Sequence, residues 1–180
     1  NRILLIKALS NQNFKIANLS SSDDTALMLK FIENYNKVKE IDCHHAGTTL
    51  RFLTAFLSVS EGNWILKGSE RMHERPIGPL VECINKIGGN IKYIEKRNYP
   101  PLKVAGRNIE GGSVDIKGNI SSQFISALLM IAPSLNKGLT INIKSKILSR
   151  PYIQMTLSLM EKMGITYKWS NNAISIKSQS

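Results

Sequence analysis

Two short motifs 75 residues apart limit what this chain can fold into. Arg75-Pro76-Ile77 and Arg150-Pro151-Tyr152 each follow a β-like run, and each opens an amphipathic stretch. Gly89 and Gly164 close those stretches at the same spacing, and strand-like runs follow both glycines. Such a repeat predicts copies of one supersecondary unit, with equivalent helix ends gathered on one rim. The motif also places a cation at a predicted helix N-terminus, where the macrodipole disfavours it by about 0.3–1 kcal/mol. A cation held in an unfavourable place suggests an anion for it to hold.

Three units follow from the repeat, over 1–44, 45–118 and 119–180. The first predicts a helix over 2–10, a strand over 14–19, a helix over 23–35 and a short strand over 38–42. The second predicts a helix over 47–59, a strand over 64–68, a helix over 76–87, a hairpin of 90–95 with 102–104, and a strand over 113–117. The third predicts a helix over 122–132, a strand over 140–144, a helix over 151–163 and a hairpin of 165–169 with 173–177. Pro76 and Pro151 suit first helical turns, where a missing N–H costs nothing. Gly88-Gly89 and Gly164 supply C-terminal stops. Asn171-Asn172 between alternating segments reads as a tight hairpin turn.

The segments 49–57 and 124–132 are apolar nearly all round, which predicts buried helices. The segment 80–86 is two-faced and belongs on the surface. Each unit therefore reads as α-β-α-β-β or, permuted, as β-α-β-α-β-β. The expected fold is mixed α/β: three pseudo-symmetric βαβαββ units in one domain, with central helices buried, sheets around them and amphipathic helices outside.

At 180 residues the chain suits one domain, or two very small ones, and is long enough to bury a real core. Its longest apolar stretch falls far short of the roughly 20 residues that span a bilayer, so no membrane association is expected. Cys43 and Cys83 have neither disulfide density nor metal spacing, and a cytoplasmic location is the simplest expectation. Lys and Arg number 24 against 13 acids, a net charge of +11. The basic residues are scattered, with no run of five and no interleaved aromatics. That pattern favours a solvated basic surface, with an anionic small-molecule site contributing, over nucleic acid.

Helix N-termini present unpaired N–H groups and attract phosphate or carboxylate. The first buried helix opens with Asn1-Arg2. The second opens with His45-Ala46-Gly47-Thr48-Thr49 and carries Arg51 one turn in. The third opens with Ser121-Ser122-Gln123. Arg75, Ser149 and Tyr152 lie at the ends of the second helices. If the repeat gathers these ends, their rim binds anions. Plainer roles exist for each: a helix cap for Ser121-Ser122, turn relief for Gly47, a buried structural arginine paired with an acid for Arg51, and a surface pair for His73 and Glu74. Adjacent histidines such as His44-His45 point opposite ways on an extended segment, so no metal site is expected. No triad, carboxylate pair or Cys-His arrangement stands out. The sequence offers binding groups rather than proton-transfer pairs, and no cofactor.

Taken together these residues resemble the 5-enolpyruvylshikimate-3-phosphate (EPSP) synthase family. Ala46-Gly47-Thr48-Thr49-Leu50-Arg51 is similar to its Asn-Ala-Gly-Thr-x-x-Arg motif, and Arg71-Met72-His73-Glu74-Arg75-Pro76-Ile77 to its Arg-Met-x-x-Arg-Pro-Ile motif. Ser121-Ser122-Gln123-Phe124 and Ser149-Arg150-Pro151-Tyr152-Ile153 match two more, and Asn1-Arg2 resembles the end of a Lys-Ser-x-x-x-Arg segment. The resemblance implies one of two similar domains, the N-terminal globular one, with ligands bound in the cleft facing a second domain. It further implies that Arg2, Ser121, Ser122, Gln123, Ser149 and Tyr152 bind shikimate 3-phosphate, while Gly47, Arg75 and Gln123 face phosphoenolpyruvate. His45 stands where the family usually has Asn and is a further candidate beside phosphoenolpyruvate; Phe52 replaces a common Pro. The family's catalytic lysine and acid–base residues have no counterpart in this chain, so it alone is expected to be inactive. Three alternatives remain: a domain of a UDP-sugar enolpyruvyl transferase, a non-enzymatic polyanion-binding module, and a freestanding scaffold domain with no ligand.

Overall fold

The computed structural model describes residues 1–10 and 14–179. Its helices are α1 (Arg2–Ser10), α2 (Asp23–Asn34), α3 (Gly47–Val59), α4 (Glu70–His73), α5 (Gly78–Lys86), α6 (Ser122–Ile131) and α7 (Arg150–Lys162). Its strands are β1 (Glu40–Asp42), β2 (Gly62–Lys67), β3 (Ile91–Tyr93), β4 (Leu102–Gly106), β5 (Gly112–Ile116), β6 (Leu139–Ile143), β7 (Tyr167–Ser170) and β8 (Ala173–Ile176).

Among the described residues two four-stranded sheets form, ordered β1-β2-β4-β3 and β5-β6-β8-β7. In each, the first pair is parallel and the others are antiparallel. A parallel pair needs a crossover. Here α3 crosses from β1 to β2 and α6 crosses from β5 to β6. The permuted βαβαββ order is thus the one the sheets follow, twice.

The strands alternate as half-buried strands must. Trp64 and Leu66 of β2 are buried while Ile65 between them is exposed; Leu102 and Val104 of β4 flank exposed Lys103. The crossover helices are enclosed on all sides. Every residue of α3 from Thr49 to Ser58 is buried, as is every residue of α6 from Phe124 to Ile131. The two helices pack side by side between the sheets, in one continuous apolar core.

The first unit departs from expectation. Residues 14–19 form no strand. Ile16 packs on the edge of the core and Phe14 lies under Lys7 Nζ, 5.3 Å from the ring centroid. The alternation is used for packing without a ladder partner, and Asn18 turns the chain at φ 53°. The strand expected over 38–42 shortens to β1, and α1 is buried only at Leu4, Leu5 and Ile6.

The second unit departs at its proline. The helix expected from Pro76 starts at Gly78, with Pro79 in its first turn. The N–H groups of Ile77 and Gly78 donate instead to Asn98 O at 2.9 and 3.2 Å. In the third unit α7 does start at Arg150, with Pro151 in its first turn. The two Arg-Pro motifs therefore stand at different places relative to their helices.

Among the described residues, no helix is long and apolar enough to cross a membrane.

Candidate anion-binding site at the helix N-termini

The site lies beyond the carboxyl ends of the parallel strands, where a crossover topology leaves a crevice. In the first sheet the chain leaves β1 through His44 and β2 through Gly68. Ser69 N donates to His44 O at 3.0 Å, and Cys43 N to Lys67 O at 2.8 Å, which lock the two exits together. Gly68 is required here: a Cβ would sit 2.8 Å from His44 O and 2.7 Å from Met72 Cγ. The single turn α4, not foreseen from sequence, then reverses the chain and lays Arg75 over the start of α3.

Arg75 is exposed, and among the described residues its side chain makes no hydrogen bond or ion pair. A Cβ on Gly47 would meet Arg75 Nη1 at 2.5 Å and Arg51 Nη1 at 2.9 Å. Two guanidinium groups thus converge where α3 presents its N-terminal N–H groups and positive dipole end. Glycine is what leaves room for both.

Arg51 is only 7% exposed. The acid expected beside it is absent: among the described residues no arginine takes part in an ion pair. Nη1 instead donates to Gly47 O at 3.2 Å and to Gln123 Oε1 at 2.9 Å, and the guanidinium lies 5.4 Å from the Phe124 ring centroid. Burial first, and Arg75 second, push its pKa down to about 10.

Gln123 joins the two units. Its carboxamide oxygen accepts from Arg51, its Nε2 donates to Thr48 Oγ1 at 3.0 Å, and its backbone N–H donates to Ser121 Oγ at 3.3 Å. Ser121 is therefore the N-cap of α6, the plainer role foreseen for it, while Ser122 starts the helix beside it, half-buried.

The third-unit rim is built as the second is. Gly118 N and Asn119 N donate to Ser145 Oγ at 2.9 and 3.2 Å, and Leu148 N donates to Gly118 O at 3.2 Å. This ties the exit of β6 to that of β5 and sets Ser149 at the start of α7. Ser149 makes no side-chain capping bond. Tyr152 is 54% exposed.

Arg2 reaches this rim from α1. Its Nε donates to Thr156 Oγ1 at 2.7 Å and its Nη2 approaches Ser126 Oγ at 3.5 Å, while its guanidinium lies 5.5 Å from the Phe52 ring centroid. Burial holds its pKa below the ordinary arginine value, with nearby Tyr152 opposing the shift. Thr156 Oγ1 lies 2.9 Å from Ser126 Oγ, and both residues are fully buried.

His45 is exposed, with Nδ1 3.1 Å from Ser69 Oγ. It lines an open pocket of about 460 Å³ with Ser69, Arg71, Met72 and Arg75. Among the described residues His73 makes no ion pair with Glu74, and its Nε2 is buried without a hydrogen-bond partner.

Sequence reasoning missed Ser126 and Thr156, and named Thr48 only as part of the start of α3. For Ser126 a signal existed, a lone hydroxyl in an apolar helix.

Comparison with known proteins follows the same lines. The family model for EPSP synthase (3-phosphoshikimate 1-carboxyvinyltransferase) matches residues 33–179. A 3-phosphoshikimate 1-carboxyvinyltransferase of Bacteroides fragilis (strain YCH46) is 45% identical over 172 residues, covering 96% of this chain and 42% of the relative. One from Colwellia psychrerythraea is 40% identical over 190 residues, covering 92% and 45%. The solved structure of an EPSP synthase from Acinetobacter baumannii superposes with a TM-score of 0.81 over 99% of this chain and 46% of that one. Its 13% sequence identity speaks to the fold alone. The chain spans just under half the length of these relatives.

Proposed function

The chain belongs to the EPSP synthase family, and from that membership we propose that it is the N-terminal, substrate-binding half of a shikimate-pathway enolpyruvyl transferase. The whole enzyme transfers the enolpyruvyl group of phosphoenolpyruvate to shikimate 3-phosphate and releases phosphate. The observation that carries this reading is the meeting of Arg75 and Arg51 over Gly47, with no carboxylate in an ion pair with either among the described residues. Gln123 joins that cationic corner to the Ser121-Ser122 helix start.

In this proposal Arg75 and the α3 N-terminus take the anionic groups of phosphoenolpyruvate, with His45 at the pocket edge. A guanidinium suits that work because its planar fork meets phosphate or carboxylate with two parallel bonds. Ser121 and Ser122 take the phosphate of shikimate 3-phosphate. Gln123, Ser149, Tyr152 and Arg2 surround the rest of it. Such groups stabilise charge in the anionic addition intermediate. Proton transfer and the exclusion of water fall to the second domain on closure. The chain alone therefore gives no turnover.

A two-dimensional amide NMR titration with shikimate 3-phosphate, against inorganic phosphate as control, tests the half-site. Saturable shifts at Ser121, Ser122, Gln123 and Tyr152, beyond those from phosphate, are expected. A well-dispersed spectrum that stays unmoved, both alone and with the complementary half added, overturns the reading. In the two-domain enzyme, Arg75→Ala should raise the KM for phosphoenolpyruvate at least tenfold more than it weakens shikimate 3-phosphate binding, a difference of about 1.4 kcal/mol. Equal losses would argue against the assignment.

A further inference from the structure

We propose that Arg51 is a positioning residue whose task is to fix the carboxamide of Gln123, resting this on the reading that Gln123 contacts both substrates. A carboxamide has two faces of opposite character, two acceptor lone pairs on oxygen and two donors on nitrogen, and a free one turns either way. Here both ends are held. Arg51 Nη1 donates to Oε1 at 2.9 Å, and Nε2 donates to Thr48 Oγ1 at 3.0 Å. The arrangement is polarised: a guanidinium has no acceptor, so it takes the oxygen end and rejects the nitrogen end. The second Nε2 proton and the remaining oxygen lone pair are left for ligand, with their directions set before it arrives.

Among the described residues Arg51 has no ion-pair partner, and the acid that favours its charge, Asp24, acts from beyond ion-pair distance. Its Nη1 is also bonded to Gly47 O, one turn back in its own helix, and the Phe124 ring lies against it. Its Nε is buried with no hydrogen-bond partner among the described residues. A buried cation of this kind is costly unless paired, and nothing in the packing of α3 requires one. An apolar residue would suit the enclosed surroundings of α3 better. The hydrogen bond to Gln123 is what such a residue could not supply. Because Arg51 stands on α3 and Gln123 on α6, the bond also fixes the spacing between the two helix N-termini that the proposed substrates occupy.

The role separates from that of Arg75. Arg75 is exposed and has no protein partner among the described residues, so it is available to a ligand; Arg51 is enclosed and already committed to Gln123. The same charge therefore serves two ends, contact in one case and orientation in the other.

The test reads the Gln123 side chain directly, in the ligand-free 180-residue chain, by its Nε2 resonances and their relaxation. Wild type should give two well-separated, rigid side-chain amide protons, with a nuclear Overhauser contact to the Thr48 methyl. Arg51→Lys should move both lines to the shifts and relaxation of a mobile, exposed glutamine and remove the Thr48 contact, while the Ile153 and Ala127 amides stay in place. Thr48→Val, a near-isosteric change, should free the same side chain and serves if Arg51→Lys fails to fold. A mobile Gln123 in wild type, or a rigid one in either folded variant, overturns the proposal. Shikimate 3-phosphate is then titrated into each protein. Weakening of about tenfold in both variants is expected, with inorganic phosphate affected less. A rigid wild-type Gln123 in a chain that ignores shikimate 3-phosphate, even with the complementary half present, would leave the orienting role intact and sink the functional reading instead.

Discussion

Gly47 shows what a single residue decides. It opens α3, and the space a Cβ would fill is occupied by the guanidinium groups of Arg75 and Arg51. Gly47→Ala should cost the fold little, because alanine is favoured in a helix by about 1 kcal/mol. The function should suffer, since one or both arginines must retreat. In the two-domain enzyme we expect a melting temperature within a few degrees of wild type, with phosphoenolpyruvate bound about tenfold more weakly. Unchanged affinity would show that the corner has slack. The cysteines give a second expectation at this scale. Burial pushes the Cys83 thiol up to about 11 and raises Cys43 further still. Little thiolate exists at pH 8, so a colourless-to-yellow disulfide reagent should label neither residue until the chain unfolds. The unfolded thiol titrates near 9, so above that pH the unfolded state releases a proton that folded Cys83 keeps. This contribution is intact below pH 9 and falls as pH rises toward 11. Denaturant midpoints at pH 8 and pH 10, compared between wild type and Cys83→Ala, check the sign.

Between elements, contact is made by caps and by backbone. Ser121 caps α6 through the Gln123 N–H, whereas Ser122 stands in the first turn. Ser121→Ala should lower stability by about 1 kcal/mol, in line with lost caps elsewhere; Ser122→Ala should leave the melting temperature unchanged. Both should weaken shikimate 3-phosphate binding, so melts and titrations together separate cap from ligand. Gly106 ends β4 where the carbonyls of Leu57 and Ser60, at the end of α3, occupy the place of a Cβ. Gly106→Ala should cost about 2–3 kcal/mol through overpacking, seen as a lower denaturant midpoint. The elements differ in how far the sequence revealed them. The limits of α3 come straight from an apolar run between Gly47 and the Ser60-Glu61-Gly62 turn. The start of α5 does not, because Pro76 and Pro79 are both acceptable first-turn residues and Asn98, twenty residues on, accepts the N–H groups that choose between them. Residues 14–19 alternate like a strand, yet a strand exists only with a partner, and the packing of Ile16 used the alternation otherwise.

For the molecule as a whole, two copies of one topology lay α3 and α6 side by side, and this adjacency bonds residues 72 positions apart in the candidate site. Periodicity and motif spacing determined the class of fold, the buried crossover helices, the hairpins and most of the candidate residues, because these depend on local chemistry and on burial that recurs every two or 3.6 residues. An anionic ligand could be proposed the same way, from glycine and serine at helix starts and from an arginine placed before a helix-opening proline. What only the tertiary structure decided is which groups meet. It turned Arg75 back over Gly47 through α4 and gave Arg51 a carboxamide in place of an acid. It also held Arg2 with the hydroxyls of Thr156 and Ser126. The first is a close approach and the other two are hydrogen bonds, all between distant segments and each holding over an ångström or so of fit. No pattern within a segment carries that distance; the packing of two sheets around two helices sets it.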